Sequence, residues 1–176
     1  MRVMGLAGWS GAGKTTLIVK LIPYLREKGL SVSTLKHAHH AFDVDQPGKD
    51  SYLHREAGAC EVLVASSRRF VLMHELRGAP EPGLAELLAR MAPADLILVE
   101  GFKRDKLPKL EVHRAQNGKP VLYPEDPAIV ALATDAADGL PPHLPHAHLD
   151  DIAGIGGLIL AHASSIAETL AKLSCR

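Results

Sequence analysis

Eight residues near the amino terminus, Gly8-Trp9-Ser10-Gly11-Ala12-Gly13-Lys14-Thr15, carry the spacing G-x-x-x-x-G-K-[ST]. Few short patterns restrict a fold as strongly, because this one works only as a strand, a loop and a helix in that order. The flanks comply. Residues 2–8, RVMGLAG, read as a short buried strand, and Leu17, Ile18, Leu21, Ile22 and Leu25 recur at helical spacing up to a C-cap glycine at Gly29. Pro23 interrupts that pattern and removes one backbone donor. Glycines let main-chain N–H groups converge on phosphate oxygens, and the following helix aims its positive end at the same anion. Gly8, Trp9, Ser10, Gly11, Ala12, Gly13, Lys14, Thr15 and Thr16 are therefore candidate nucleotide contacts. Lys14 is placed to reach the β- and γ-phosphates, and the Thr15 hydroxyl to ligate Mg²⁺.

Strand and helix patterns alternate after this point. LSVSTLKH (30–37) reads as a strand, 38–48 as a polar loop and 49–59 as a short helix. EVLVAS (61–66) and RFVLMHEL (69–76) read as two strands of a hairpin, and GLAELLARM (83–91) as an amphipathic helix. DLILVEG (95–101) has the unbroken apolar character of a strand buried on both faces. Strands are also expected at 108–114 and 128–135, with a short one within 146–151, loops at 114–128 and 136–147, and one closing helix from about Ile155 to Leu173. The alternation predicts an α/β fold of the P-loop NTPase type, with three layers: a mostly parallel central sheet and flanking helices. The absence of a repeat or a long linker predicts one nucleotide-binding domain over 1–176.

P-loop proteins place an acid at the end of a neighbouring buried strand, near the metal. Glu100 fits; Asp95 belongs to the other end of the same strand. Glu100 thus joins Thr15 as a metal candidate, and joins Lys14 and Asp45 as a catalytic candidate. LKHAHHAFDVDQ (35–46) leaves the second strand where strand ends gather about the nucleotide. Lys36, His37, His39 and His40 there suit contact with phosphate or another anion, a solvated loop, or a metal. With no Cys and no clean carboxylate set among them, anion contact ranks ahead of metal. Asp43 and Asp45 are candidates to face Mg²⁺ or attacking water. Asn-Lys-x-Asp is missing, so Asp135, after the strand ALAT, is the substitute acceptor for guanine N–H donors, with a plain loop aspartate as the alternative. The basic run FKRDK (102–106) is either an exposed loop or a docking patch.

Composition narrows the classes. Lys+Arg and Asp+Glu stand at 20 each, so no overall basic field calls for nucleic acid or an anionic membrane. Two distant cysteines, Cys60 and Cys175, exclude a disulfide framework or a zinc ribbon. No signal peptide and no membrane-length apolar run is visible, which predicts a cytoplasmic protein.

GWSGAGKTTL, LKHAHHAFDVDQPGKDSYLHREAGA and DLILVEGFK together resemble the MobB family, molybdopterin-guanine dinucleotide biosynthesis protein B. The resemblance runs over about residues 1–115 and more weakly through ALATD, and its long middle stretch is the specific part. It implies a GTP-binding fold of the kind found in dimeric GTPases and nitrogenase iron-protein relatives, with GTP and Mg²⁺ as cofactors. It further implies a homodimer and an accessory role in attaching GMP to molybdopterin. The guanylyltransferase chemistry would belong to a partner, the molybdenum cofactor guanylyltransferase; molybdopterin and molybdoenzyme apoproteins are further partners. Dimeric ATPase relatives often carry a second lysine after the first P-loop glycine. Trp9 stands there in this chain, and less positive charge at the transition state implies slow hydrolysis. Two other readings remain: a P-loop kinase of a small metabolite or nucleotide, although no Arg-rich lid is evident, and a metallochaperone-type GTPase resting on the histidines.

Overall fold

A computed structural model of the chain describes residues 1–38, 42–136 and 138–174. The chain divides into two compact units, one of Met1–His37 with Leu84–Arg176 and one of Ala38–Gly83.

In the first unit β1 (Arg2–Ala7), α1 (Lys14–Glu27) and β2 (Val32–Lys36) come before the division. In the second unit α2 (Asp50–Glu56) precedes a hairpin of β3 (Glu61–Ala65) and β4 (Phe70–His74). The first unit resumes with α3 (Leu84–Ala89), β5 (Leu96–Glu100), β6 (Lys109–His113), β7 (Ile129–Thr134) and β8 (His146–His148). It ends with α4 (Ile152–His162), β9 (Ser164–Ser165) and α5 (Ile166–Ser174).

Among the described residues, seven strands form one sheet in the order β2-β5-β1-β6-β7-β8, with β9 against β1. Every pairing is parallel except β1 with β9. Alternation along the strands explains the layers. Met4 and Leu6 of β1, Leu96 and Leu98 of β5, and Leu110 and Val112 of β6 share one core with Leu17, Leu21 and Leu25 of α1 and Ile155 and Ile159 of α4. Val3, Ile97 and Val99 bury against Leu84 and Leu88 of α3 and Leu173 of α5. Helices therefore cover both faces, and the α/β fold with its mostly parallel sheet matches the sequence reading.

α1 runs unbroken through Pro23. The carbonyl deprived of its donor belongs to Val19, whose side chain is 64% exposed, so water reaches that face.

The tail departs from expectation: it is two helices with a two-residue strand between them. Asp151 caps α4 early, its Oδ1 accepting from Gly154 N at 2.8 Å. Ser164 and Ser165 then pair with Val3 and Arg2 at the start of β1, a stretch that β6 leaves unpaired. Ser165 and Glu168 form a reciprocal capping box that starts α5, with Ser165 N to Glu168 Oε2 at 2.9 Å and Glu168 N to Ser165 Oγ at 3.1 Å.

The second unit is organised around Arg55 of α2. Its guanidinium lies 2.7 Å from Asp43, 3.3 Å from Asp45 and 3.2 Å from Glu75. The hairpin pairs Leu63 with Leu72 and Ala65 with Phe70 on one of its faces.

Candidate nucleotide site

β1 occupies the point where the chain changes direction across the sheet: β5 and β2 lie on one side of it, β6, β7 and β8 on the other. Such a switch opens a crevice beyond the strand ends. The loop 8–14 emerges into it and closes onto α1. Gly8 has φ 140°, and a Cβ there would sit 2.4 Å from the Val112 carbonyl oxygen, so the first loop position admits no side chain without displacing β6. Gly13 caps α1 in the left-handed conformation with no side-chain cap, which leaves the first-turn amides directed at the loop. Lys14 Nζ folds back to donate to the Gly8 and Trp9 carbonyls at 2.8 and 3.0 Å.

Register brings Leu6 of β1 level with Glu100 of β5, and Leu98, Val99 and Glu100 level with Thr34, Leu35 and Lys36 of β2. Glu100 therefore ends its strand beside the loop. Both its carboxylate oxygens lie 3.5 Å from the Thr15 hydroxyl, and Lys36 Nζ is 3.8 Å from Oε2. Thr15, Lys36 and Glu100 thus lie together beside Lys14. His37 N donates to the Glu100 carbonyl at 2.9 Å, and its ring lies 4.9 Å from that of Phe102. Gly101, with φ 99°, permits that approach: a Cβ there would come within 2.6 Å of His37 Cβ.

The electrostatics are mainly cationic. Burial holds the Lys14 ammonium below its usual value; Glu100 opposes the shift, and Lys103 and Lys36 reinforce it. Lys103 Nζ stands 5.6 Å above the Trp9 ring. Position 9 thus gains a neighbouring cation from the 102–106 run, although Trp9 itself carries none. A phosphate chain in the loop would relieve this repulsion. The Thr15 hydroxyl and Glu100 carboxylate are hard oxygen donors on one side of it, a set that suits Mg²⁺ shared with phosphates and water.

The opposite wall comes from 114–126, a loop with one 3₁₀ turn at Ala115–Asn117. Asn117 Nδ2 donates to the Ser10 carbonyl at 3.2 Å, and Trp9 Nε1 to the Pro120 carbonyl at 2.8 Å. Three inward residues of β6 secure this strap. Lys109 Nζ reaches Asp126 at 2.8 Å, Glu111 accepts from Leu122 N at 2.7 Å and Tyr123 N at 3.0 Å, and His113 Nε2 lies 3.3 Å from the Lys119 carbonyl. The readable signal was polar residues at alternate positions of an otherwise apolar strand, Lys109, Glu111 and His113. Arg114, also missed, lies against Gly13. Asp135 ends β7 on this side, with Oδ1 accepting from Ala115 N at 2.7 Å and Oδ2 3.5 Å from Arg114 Nη1.

Asp45 belongs to the second unit, where Ser51 Oγ donates to its Oδ1 at 2.8 Å and Arg55 faces its Oδ2. His40, like His39, lies outside the described residues. No group of three or more His, Cys, Asp or Glu that could hold a metal occurs among the described residues.

Residues 3–135 match the family model MobB, described as molybdopterin guanine dinucleotide synthesis protein B. The molybdopterin-guanine dinucleotide biosynthesis adapter protein of Escherichia coli (strain K12) is 42% identical over 163 residues, covering 90% of this chain and 91% of that one. Its Haemophilus influenzae counterpart is 42% identical over 137 residues, covering 76% and 74%. The crystal structure of Bacillus subtilis MobB superposes with a TM-score of 0.73 at 24% identity, covering 94% of this chain and 99% of that one, and so supports the fold. By its matched length and its relatives, the chain belongs to the MobB family.

Proposed function

We propose that this chain is a GTP-binding adapter in the biosynthesis of molybdopterin guanine dinucleotide, assisting the guanylyltransferase that joins GMP to molybdopterin. The observation that carries the nucleotide part is the meeting of the Thr15 hydroxyl and the Glu100 carboxylate beside the loop lysine. The names borne by relatives of matching length support the pathway. In this reading the loop amides and Lys14 hold the triphosphate, while Thr15 and Glu100 hold Mg²⁺. Lys36 and His37 face the terminal phosphate from the end of β2. The bound metal would draw negative charge off the phosphates; the protein's own part is to fix their position and exclude water. Hydrolysis is slow, because position 9 of the loop is Trp9 and brings no cation of its own to the transition state. The protein works in the cytoplasm as a homodimer, and among the described residues no helix is long and apolar enough to cross a membrane.

Titration with GTP and ATP in Mg²⁺ tests the site. Lys14→Ala is expected to abolish binding while the fold is retained; unchanged GTP affinity would sink the proposed pocket. A lysate pull-down with and without GTP tests the adapter role. Recovery of the guanylyltransferase supports it, whereas rapid phosphate transfer from ATP to a small acceptor replaces it with the kinase reading.

A further inference from the structure

We propose that Arg114 is a phosphate ligand of this site, approaching from the β6 side of the loop, and that Asp135 is the residue that positions it. The inference rests on the nucleotide reading above. Arg114 is the first residue beyond β6, the neighbour of β1 on the side away from Glu100. Its guanidinium lies directly on Gly13: a Cβ there would be 3.4 Å from Nη2 and 4.0 Å from Nε. Gly13 is the cap of α1, so a fixed positive charge sits at the positive end of a 14-residue helix, next to the loop that Lys14 also closes. Three sources of positive potential converge there, which is unfavourable without an anion and strongly favourable with one.

Asp135 offsets part of this charge without capping the guanidinium. Its Oδ2 is 3.5 Å from Nη1, longer than a good charge-assisted hydrogen bond, and Arg114 stays 40% exposed. Oδ1 is tied to Ala115 N, the amide of the very next residue. The carboxylate therefore grips the backbone beside the arginine and leaves Nη2 turned toward Gly13. A planar guanidinium in that attitude matches phosphate oxygens in a way a lysine does not. It is indifferent to the base. This gives Asp135 a different part from guanine recognition: its two oxygens are directed at Ala115 and Arg114, and it aims a cation at the phosphates.

Kd values for fluorescent GTP and ATP analogues, with inorganic pyrophosphate as competitor, separate the two roles in the full chain. Arg114→Gln is expected to weaken both nucleotides and pyrophosphate by a common factor of about ten, as for loss of one charged hydrogen-bonding group, and to flatten the salt dependence. Arg114→Lys recovers part of the loss. Asp135→Asn lowers all three affinities by a smaller common factor and leaves the GTP:ATP ratio unchanged. Wild-type affinity of Arg114→Gln for all three ligands overturns the proposal. So does an Asp135→Asn chain whose GTP:ATP ratio collapses while pyrophosphate is unaffected. If Arg114→Gln does not fold, as shown by its melting curve, Arg114→Lys and Asp135→Asn decide by the same criteria. Failure of the nucleotide reading looks different: the wild-type chain then binds none of the three, and the Arg114 assignment falls with it.

Discussion

Glu111 has no exposed surface, yet it sits in the middle of a central strand. Burial pushes its carboxyl above the usual value, opposed by the amide hydrogen bonds from Leu122 and Tyr123. The linkage has a definite sign. Between the ordinary glutamate value, about 4.3, and the raised folded value, the folded chain binds more protons than the unfolded one. This group's contribution is therefore fully present below that window and is lost as pH rises through it. Glu111→Gln cannot titrate. The stability advantage of wild type over Glu111→Gln, read from urea midpoints at a series of pH values, is expected to be largest in acid and to shrink as pH rises; a constant difference would refute the assignment. At this scale the placement of the loop glycines, Lys14 and Thr15 was legible from motif spacing, and that of Glu100 from the end of an apolar strand. The placement of Arg114 was not, because it depends on which strand pairs beside β1.

Among the elements, α1 and α4 meet where Gly156 faces Tyr24. A Cβ at position 156 would lie 2.5 Å from the ring's Cε1 and 3.0 Å from Cδ1. Alanine gains about 1 kcal/mol of helix propensity over glycine, and overpacking costs about 1–3 kcal/mol. Gly156→Ala is expected to show a net loss in thermal unfolding, and Tyr24→Ala in the same chain to recover part of it. Additive effects of the two changes would mean that the helices do not meet there. The central parallel strands β1, β5, β6 and β7 were readable to within a residue, since buried parallel strands are nearly continuous apolar runs. The tail was misread as one helix because its apolar periodicity barely falters, although the Ser165-x-x-Glu168 cap was present in the sequence.

For the whole molecule, the second unit's hairpin is the feature most relevant to assembly. Phe70 is 73% exposed, Leu63 60% and Leu72 51%, all on the face that pairs Leu63 with Leu72. A two-stranded sheet is marginal by itself, and an exposed apolar ribbon favours self-association through a two-fold contact. If the proposed homodimer uses this face, the double change Leu63→Lys with Phe70→Glu should yield monomers in sedimentation while GTP binding to each chain survives. A dimer of unchanged affinity would move the interface elsewhere.

The sequence by itself determined the loop, the candidate pair Thr15 and Glu100, the α/β class and the family resemblance. Each of these is written in local spacing or in the period of apolar residues, which the chain carries wherever it goes. Only the tertiary structure decided that Lys109, Glu111 and His113 secure a strap against Trp9 and Ser10, that Asp135 faces Arg114, and that Arg55 gathers Asp43, Asp45 and Glu75. Those partners are separated along the chain and meet only once strand order and register are set, so no local pattern announces them.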